Sequence, residues 1–140
     1  MNPPSEDIKD ILISSAVGVA DGFAVSSGWA VHVSTIPDDT NTPDTCIGIF
    51  DSPGLDPDDS FDGSIDQPSV QIRVRGAVFG YKAAWTKAKA IASALHQRVN
   101  ETWNGTKYVQ IMQKGDVMFV AYDEKNRPLL SLNFDIKRSE

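Results

Sequence analysis

Apolar and polar residues alternate most regularly near the middle of the chain, just before a long helical pattern. Residues 69–75 alternate, which predicts a half-buried strand. Its apolar side consists of Val70, Ile72 and Val74. From Tyr81 the apolar positions recur at helical spacing, predicting a helix that runs to about residue 99. Its apolar stripe consists of Ala84, Trp85, Ala88, Ile91, Ala92, Leu95 and Val99. Trp85 is the largest of these, so we expect it to be buried between helix and sheet.

The N-terminal part of the chain shows shorter patterns separated by polar segments. A short apolar stripe predicts a helix at about residues 5–16, and Ser5 stands where a capping side chain is favoured. The elements predicted after it are a loop at 18–28, a strand at 29–35, a polar loop at 38–45 and a short strand at 46–50.

An acidic segment follows at residues 51–66. It contains six Asp residues and neither Lys nor Arg, and its few larger apolar residues are Leu55, Phe61 and Ile65. Like charges repel, and no apolar periodicity offsets that repulsion. We therefore predict a long loop, mobile in the isolated subunit, that a partner orders.

The C-terminal third predicts three antiparallel strands. They are expected at 108–114, 117–122 and 130–136, with turns at Gly115–Asp116 and at 123–128. Leu132 and Phe134 are expected in the core together with Trp85. The predicted fold class is α+β, a mixed, mainly antiparallel sheet flanked by two helices, in a single domain over residues 1–140.

Composition restricts the possible functions. The chain has 140 residues, 41% hydrophobic and 23% charged, which is typical of one globular domain. Its net charge of −6 argues against a surface that grips nucleic acid, but not against a passage through which DNA slides. No signal peptide and no membrane-spanning apolar run is evident. No cofactor-binding fingerprint or catalytic motif is found, so we expect neither a cofactor nor an enzyme.

Some residues nevertheless have reactive or metal-binding side chains. Cys46 opens an apolar strand, where a small core role is typical, and nothing in the sequence brings it to His32 or His96. A cysteine-dependent enzyme centred on Cys46 is one alternative function. Residues 58–66 match part of a calcium-binding loop, but its twelfth position is Ser69 instead of Glu. A calcium-binding module is a further alternative, ranked above the cysteine-dependent enzyme.

Arg73 and Arg75 lie on the polar side of the central predicted strand. Two arginines on one face can bind a carboxylate, a phosphate or a neighbouring subunit, or can simply face solvent. Both interpretations remain open on the sequence alone. Together with four positions of the acidic segment they form our candidate partner interface: Leu55, Asp58, Phe61, Asp62, Arg73 and Arg75.

Several segments together resemble a known protein family. They are residues 5–12, 46–54, 67–76, 88–96 and 123–128, of which the strand ending Val-Arg-Gly76 and the Ala-rich helix ending Ala-Leu-His96 are the most specific. Over nearly its whole length the chain resembles the minor capsid or tail-terminator-like proteins of long-tailed bacteriophages. No catalytic, cofactor-binding or metal-binding residues carry over from that family.

The resemblance implies a structural role. Tail terminators have a mixed α+β fold and assemble as a ring, commonly a hexamer, on the end of the tail tube, where they stop its growth. The implied partners are other copies of the chain, the tail tube protein, the head connector or completion proteins, and DNA that passes without sequence-specific binding. The implied location is the head–tail junction of the virion, after assembly in the host cytoplasm. A head-completion or connector protein of the same virion is the nearest alternative.

Overall fold

The computed structural model describes residues 1–22, 25, 28–61 and 63–139, and for residues 55–61, 63 and 64 it describes the backbone alone. Two helices and seven strands form within this part of the chain. In order they are α1 (Pro4–Ser14), β1 (Val19–Asp21), β2 (Trp29–Val33), β3 (Cys46–Phe61), β4 (Gly63–Arg75), α2 (Tyr81–Leu95), β5 (Arg98–Trp103), β6 (Thr106–Tyr122) and β7 (Pro128–Ser139).

The described strands form a single mixed sheet in the order β1-β2-β3-β4-β7-β6-β5. The β1–β2 and β2–β3 pairs are parallel, and all pairs from β3 to β5 are antiparallel. The centre of the sheet is the β4–β7 pair, which runs from Arg75 opposite Leu129 to Asp66 opposite Arg138. The α+β fold with two helices is therefore present.

Both helices contribute to one hydrophobic core on one face of the sheet. Ile8, Ile11 and Leu12 of α1 are fully buried, and so are Ile91 and Leu95 of α2. The predicted strand positions supply the other side of this core, and their burial is confirmed. They are Val70, Ile72, Val74, Leu132 and Phe134.

Trp85 is not buried, contrary to our expectation: 41% of it is exposed. The small side chains Ala84 and Ala88 face the sheet and let α2 lie close to it, so Trp85 projects sideways from the helix. The predicted C-terminal extension of α2 is also wrong. The helix ends at Leu95, the backbone turns at Gln97 with a φ of 64°, and Val99 lies in β5 with 53% exposure.

Three other boundaries differ from those predicted. Pro3, not Ser5, precedes the first helical residue, and Ser5 lies buried in the first turn of α1. The segment predicted as a loop after α1 contains β1. The predicted turn at Gly115–Asp116 is absent, because β6 continues through it. Gly115, with a φ of 77°, permits a bulge between Lys114 and Met118, where the pairing with β7 shifts register.

Residues 51–66 form a β-hairpin and not a loop, which corrects our prediction for the described backbone. We call residues 51–66 the acidic arm. Its strands pair through Leu55 with Gln67 and Asp58 with Ile65, with register shifts between successive pairs. The shifts accommodate residues that fit a regular ladder poorly: a Cβ on Gly54 would lie 1.9 Å from the carbonyl oxygen of Gln67. Pairing between main chains does not require apolar side chains, so strands form here although the composition is typical of a loop.

Candidate assembly surfaces

The base of the acidic arm is fixed to the rest of the fold at both of its strands. Asp51 accepts hydrogen bonds from the backbone nitrogen of Ser5 at 2.9 Å and from its hydroxyl at 2.6 Å. Across the hairpin, Asp66 lies 3.8 Å from Nε of Arg138, a buried arginine that also donates to the carbonyl oxygen of Asn2 at 2.7 Å. The N-terminal helix and the C-terminal strand therefore orient the arm.

A buried carboxylate stabilises the same end of the molecule. Asp7, fully buried in α1, accepts hydrogen bonds from the hydroxyl of Tyr108 and, at 2.7 Å, from the side-chain amide of Asn104. Arg138 lies 3.9 Å from the same carboxylate. Burial raises the pKa of Tyr108 far above its usual value, and the hydrogen bond to Asp7 raises this pKa further. The network joins α1 to β6 and β7 beside the base of the arm.

Beyond the base of the acidic arm, its two strands pair only with each other among the described residues. Pairing of β4 with β7 ends at Asp66, and pairing of β2 with β3 ends at Ile49. Four predicted interface positions lie in the outer part, namely Leu55, Asp58, Phe61 and Asp62. Asp62 and the side chains of the other three lie outside the described residues. The arm's charge is known from its sequence: six Asp and no Lys or Arg.

The two arginines of the predicted interface have different environments. Arg73 is exposed, and its guanidinium lies 4.7 Å from the centre of the Phe50 ring. Arg75 is only 3% exposed and donates to the carbonyl oxygens of Pro37, Pro43 and Asp44 at 2.9–3.0 Å. Burial, with help from the nearby Arg127, lowers the pKa of Arg75. Arg75 thus holds the 37–44 loop within the subunit, and Arg73 remains available to a partner.

A shallow groove of about 590 Å³ lies between that loop and β6. Arg127, 4% exposed on its side chain, lines the groove and forms ion pairs with Asp44 at 3.0 Å, Asp123 at 2.7 Å and Asp38 at 3.3 Å. Met118 also lines the groove. Arg75 and Arg127 of this groove are bound to oxygen atoms of the subunit itself, so neither is available to bind an anion. Arg73, whose Nε donates to the side-chain oxygen of Gln71, is the exposed arginine that lines the groove.

A cluster of exposed aromatic side chains lies where β6 approaches the start of α2. Phe79 lies 6.3 Å from Tyr122, Tyr122 lies 5.4 Å from Phe119, and Phe119 lies 5.5 Å from Tyr81, between ring centres. Trp85 follows Tyr81 one helical turn later. We call these five residues the aromatic surface. They are 39–71% exposed.

The aromatic surface adjoins an open sheet edge and positive charge. β5 pairs with β6 only as far as Ile111, so beyond it β7 is the only strand paired with β6 among the described residues. Lys82 is exposed on α2. Lys89 lies 5.2 Å from the centre of the Trp85 ring and 2.5 Å from Asp116. An open edge with exposed aromatic residues is a typical protein-binding surface.

A family model for bacteriophage tail terminator proteins matches residues 15–140, which is most of the chain. The chain belongs to the bacteriophage tail terminator family. It is accordingly a structural protein of phage tails, as the sequence resemblance indicated.

Comparison of structures agrees on the fold. A chain in a structure titled "Virion of native gene transfer agent (GTA) particle" superimposes with a TM-score of 0.66, covering 99% of this chain and 96% of that chain. The two sequences are 15% identical, so the similarity concerns the fold alone. No curated protein matches the chain.

The remaining reactive residues of this family member do not come together as a catalytic site in the part of the chain that the structure describes. Cys46 is fully buried, and burial raises the pKa of its thiol, so the reactive thiolate is disfavoured. His32 lies on the neighbouring strand, buried, and burial lowers its pKa. His96 lies apart, accepting a hydrogen bond from the backbone of Gln113. Within the described residues, no group of three or more His, Cys, Asp or Glu side chains could hold a metal ion, and no helix is long and apolar enough to cross a membrane.

The aromatic surface is a feature that we did not predict from the sequence. Two signals for it were present. Val78 and Phe79 are large apolar residues within a turn bounded by glycines, where polar residues are usual. Residues 117–122 are apolar at nearly every position, so an edge strand there must expose some of them. The exposure of Trp85, in contrast, could be seen only in the structure.

Proposed function

We propose that this protein forms a closed ring on the end of the phage tail tube, at the head–tail junction, where it stops tube growth and binds the head connector. The observation that carries this proposal is the family match over residues 15–140. Rings of this family are commonly hexamers, and we propose that number here. The domain acts as a single unit over residues 1–140.

The acidic arm supports a role in assembly. Its outer part is a two-stranded ribbon, and an isolated ribbon of this kind is at best marginally stable in water. Its sequence there includes the apolar residues Leu55 and Phe61. A ring contact made by this arm would bury them, and exposed Arg73 offers a further charge on the sheet face next to β3.

The charge of the subunit suits a passage for DNA. The net charge is −6, and the arm is its most acidic segment. Negative walls repel phosphate groups and prevent DNA from adhering as it passes. We therefore propose contact with DNA that is transient and independent of sequence.

Electron microscopy of particles tests the location and the ring. We expect ring-shaped density of several copies between tube and connector, and tails of uncontrolled length when the protein is missing. A single copy on the particle axis would overturn the ring. Particles that lack the protein could instead have tails of normal length but heads that are not stably filled with DNA. That result would favour the head-completion alternative.

Deletion of residues 55–65 tests the arm. We expect a folded protein that fails to form rings or to join heads to tails. Infectious particles at the normal level would show that the arm's acidity serves solubility only.

A further inference from the structure

The exposed apolar residues of this protein are concentrated in one region. Of the eleven large apolar side chains that are exposed among the described residues, eight lie in the turn before α2, the first half of α2, or the second half of β6. They are Val78, Phe79, Tyr81, Trp85, Met118, Phe119, Val120 and Tyr122. Met118 and Val120 line the groove beside Arg73 and Arg75, whereas ring contacts join Phe79, Tyr122, Phe119 and Tyr81 into one patch. Apolar patches of this kind mark interaction sites, because leaving them in water is unfavourable.

We propose that the aromatic surface, together with Lys82 and Lys89, is the site that receives the acidic arm of a second copy of this chain. This inference rests on the ring proposed above and names the two surfaces that meet within it. Each copy then uses its arm towards one neighbour and its aromatic surface towards the other.

Charge complementarity identifies the occupant. Helix α2 carries three lysines and no acidic residue, whereas the arm carries six Asp and no basic residue. Lys87 donates to the carbonyl oxygen of Val17 and Lys89 pairs with Asp116, so Lys82 is the main charge offered to a partner. Lys82 is exposed on the side of α2 that also presents Trp85 and Lys89. Complementary charges at the border of an apolar contact fix its register and exclude wrong partners. The arm also supplies apolar residues, Leu55 and Phe61, that aromatic rings can cover.

The position of the two surfaces in the sheet fits a ring. The arm extends from the end of the central β4–β7 pair at which Asp66 lies opposite Arg138. Tyr122 of the aromatic surface pairs with Pro128, next to the other end, where Arg75 lies opposite Leu129. Contact between unlike surfaces repeats from copy to copy and generates a closed ring when the rotation permits. A two-fold contact between two aromatic surfaces would instead bring like charges together, Lys82 against Lys82, which is unfavourable.

Disulfide cross-linking tests the contact. Ser60→Cys and Thr86→Cys retain every Asp of the arm and every lysine and aromatic residue of the receiving surface. The two variants are mixed in equal amounts, added to tails that lack the protein, and oxidised mildly. We expect a covalent dimer in the mixture and none with either variant alone, since buried Cys46 does not react.

Charge exchange provides a second, independent measurement. Lys82→Glu should weaken ring formation about tenfold, and Asp59→Lys added to it should restore most of that loss. Lys137→Glu, which makes the same charge change at an exposed position of β7, is the matched control and should have little effect. Two results would overturn this inference but leave the proposed function standing. One is a covalent dimer formed by the Thr86→Cys variant with itself. The other is ring formation without the mixed cross-link and without rescue of Lys82→Glu by Asp59→Lys. Absence of any ring on the tails would overturn the proposed function.

Discussion

Two hydrogen bonds join Ser5 to Asp51, one from the backbone nitrogen and one from the hydroxyl, so a carboxylate from β3 caps the first turn of α1. Ser5 is fully buried, and its N–H would otherwise lack a partner inside the helix. We expect Asp51→Ala to lower the free energy of unfolding by about 1–3 kcal/mol, because this N–H loses its acceptor. Chemical denaturation measures the change, with Asp56→Ala as a control that should leave stability nearly unaltered.

Arg75 should matter to the fold and Arg73 should not. Arg75→Met leaves three carbonyl oxygens of the 37–44 loop without their donor, so we expect a loss of about 1–3 kcal/mol and faster proteolysis of that loop. Arg73→Met, at an exposed position, should change stability by no more than about 0.5 kcal/mol. Equal effects of the two substitutions would contradict these assignments.

Tyr108 should make stability depend on pH in the alkaline range. Burial and the hydrogen bond to Asp7 raise its pKa in the folded protein above the unfolded value of about 10. The folded state then retains a proton that the unfolded state loses, so stability from this group is complete below about pH 10 and declines as the pH rises above it. We expect the stability difference between the wild type and Tyr108→Phe to shrink between pH 8 and pH 11. A difference that stays constant would show that Tyr108 ionises normally.

Trp85 should contribute to assembly more than to stability. Because it is 41% exposed, Trp85→Ala should cost about 1 kcal/mol or less, mainly the contact with Lys89. Leu95→Ala, in the fully buried stripe of the same helix, should cost about 2–5 kcal/mol. Thermal unfolding and ring formation are to be measured for both. Trp85→Ala that melts much earlier, or that assembles normally, would contradict this division.

The central strands and both helices could be predicted because burial imposes a period on the sequence. Val70, Ile72 and Val74 alternate since one face of β4 meets the core and the other does not. The periodicity shows which residues of a helix form its apolar stripe, but it does not show which of them face the sheet directly. Trp85 stands at the margin of the α2 stripe, and only the packing of the alanines against the sheet decides that it faces outward.

The acidic arm could not be predicted for a different reason. Strand signals depend on side chains that pack, whereas the arm is held by main-chain pairing and by contacts at its base with Ser5 and Arg138. Those partners are far away in sequence. The aromatic surface was missed because it combines three segments, each unremarkable on its own, that the fold brings together.

The central β4–β7 pair has a consequence for folding. It joins residues from the middle of the chain, 66–75, to residues near its C-terminus, 129–138, with α2, β5 and β6 between them. Pairing across such a separation must first overcome the entropy of closing a long loop, and it slows folding. Until residues 129–138 can pair, β4 lacks its inner neighbour and exposes an edge. Such an edge is a template for pairing with another chain, so the sheet loses this liability only when β7 is in place.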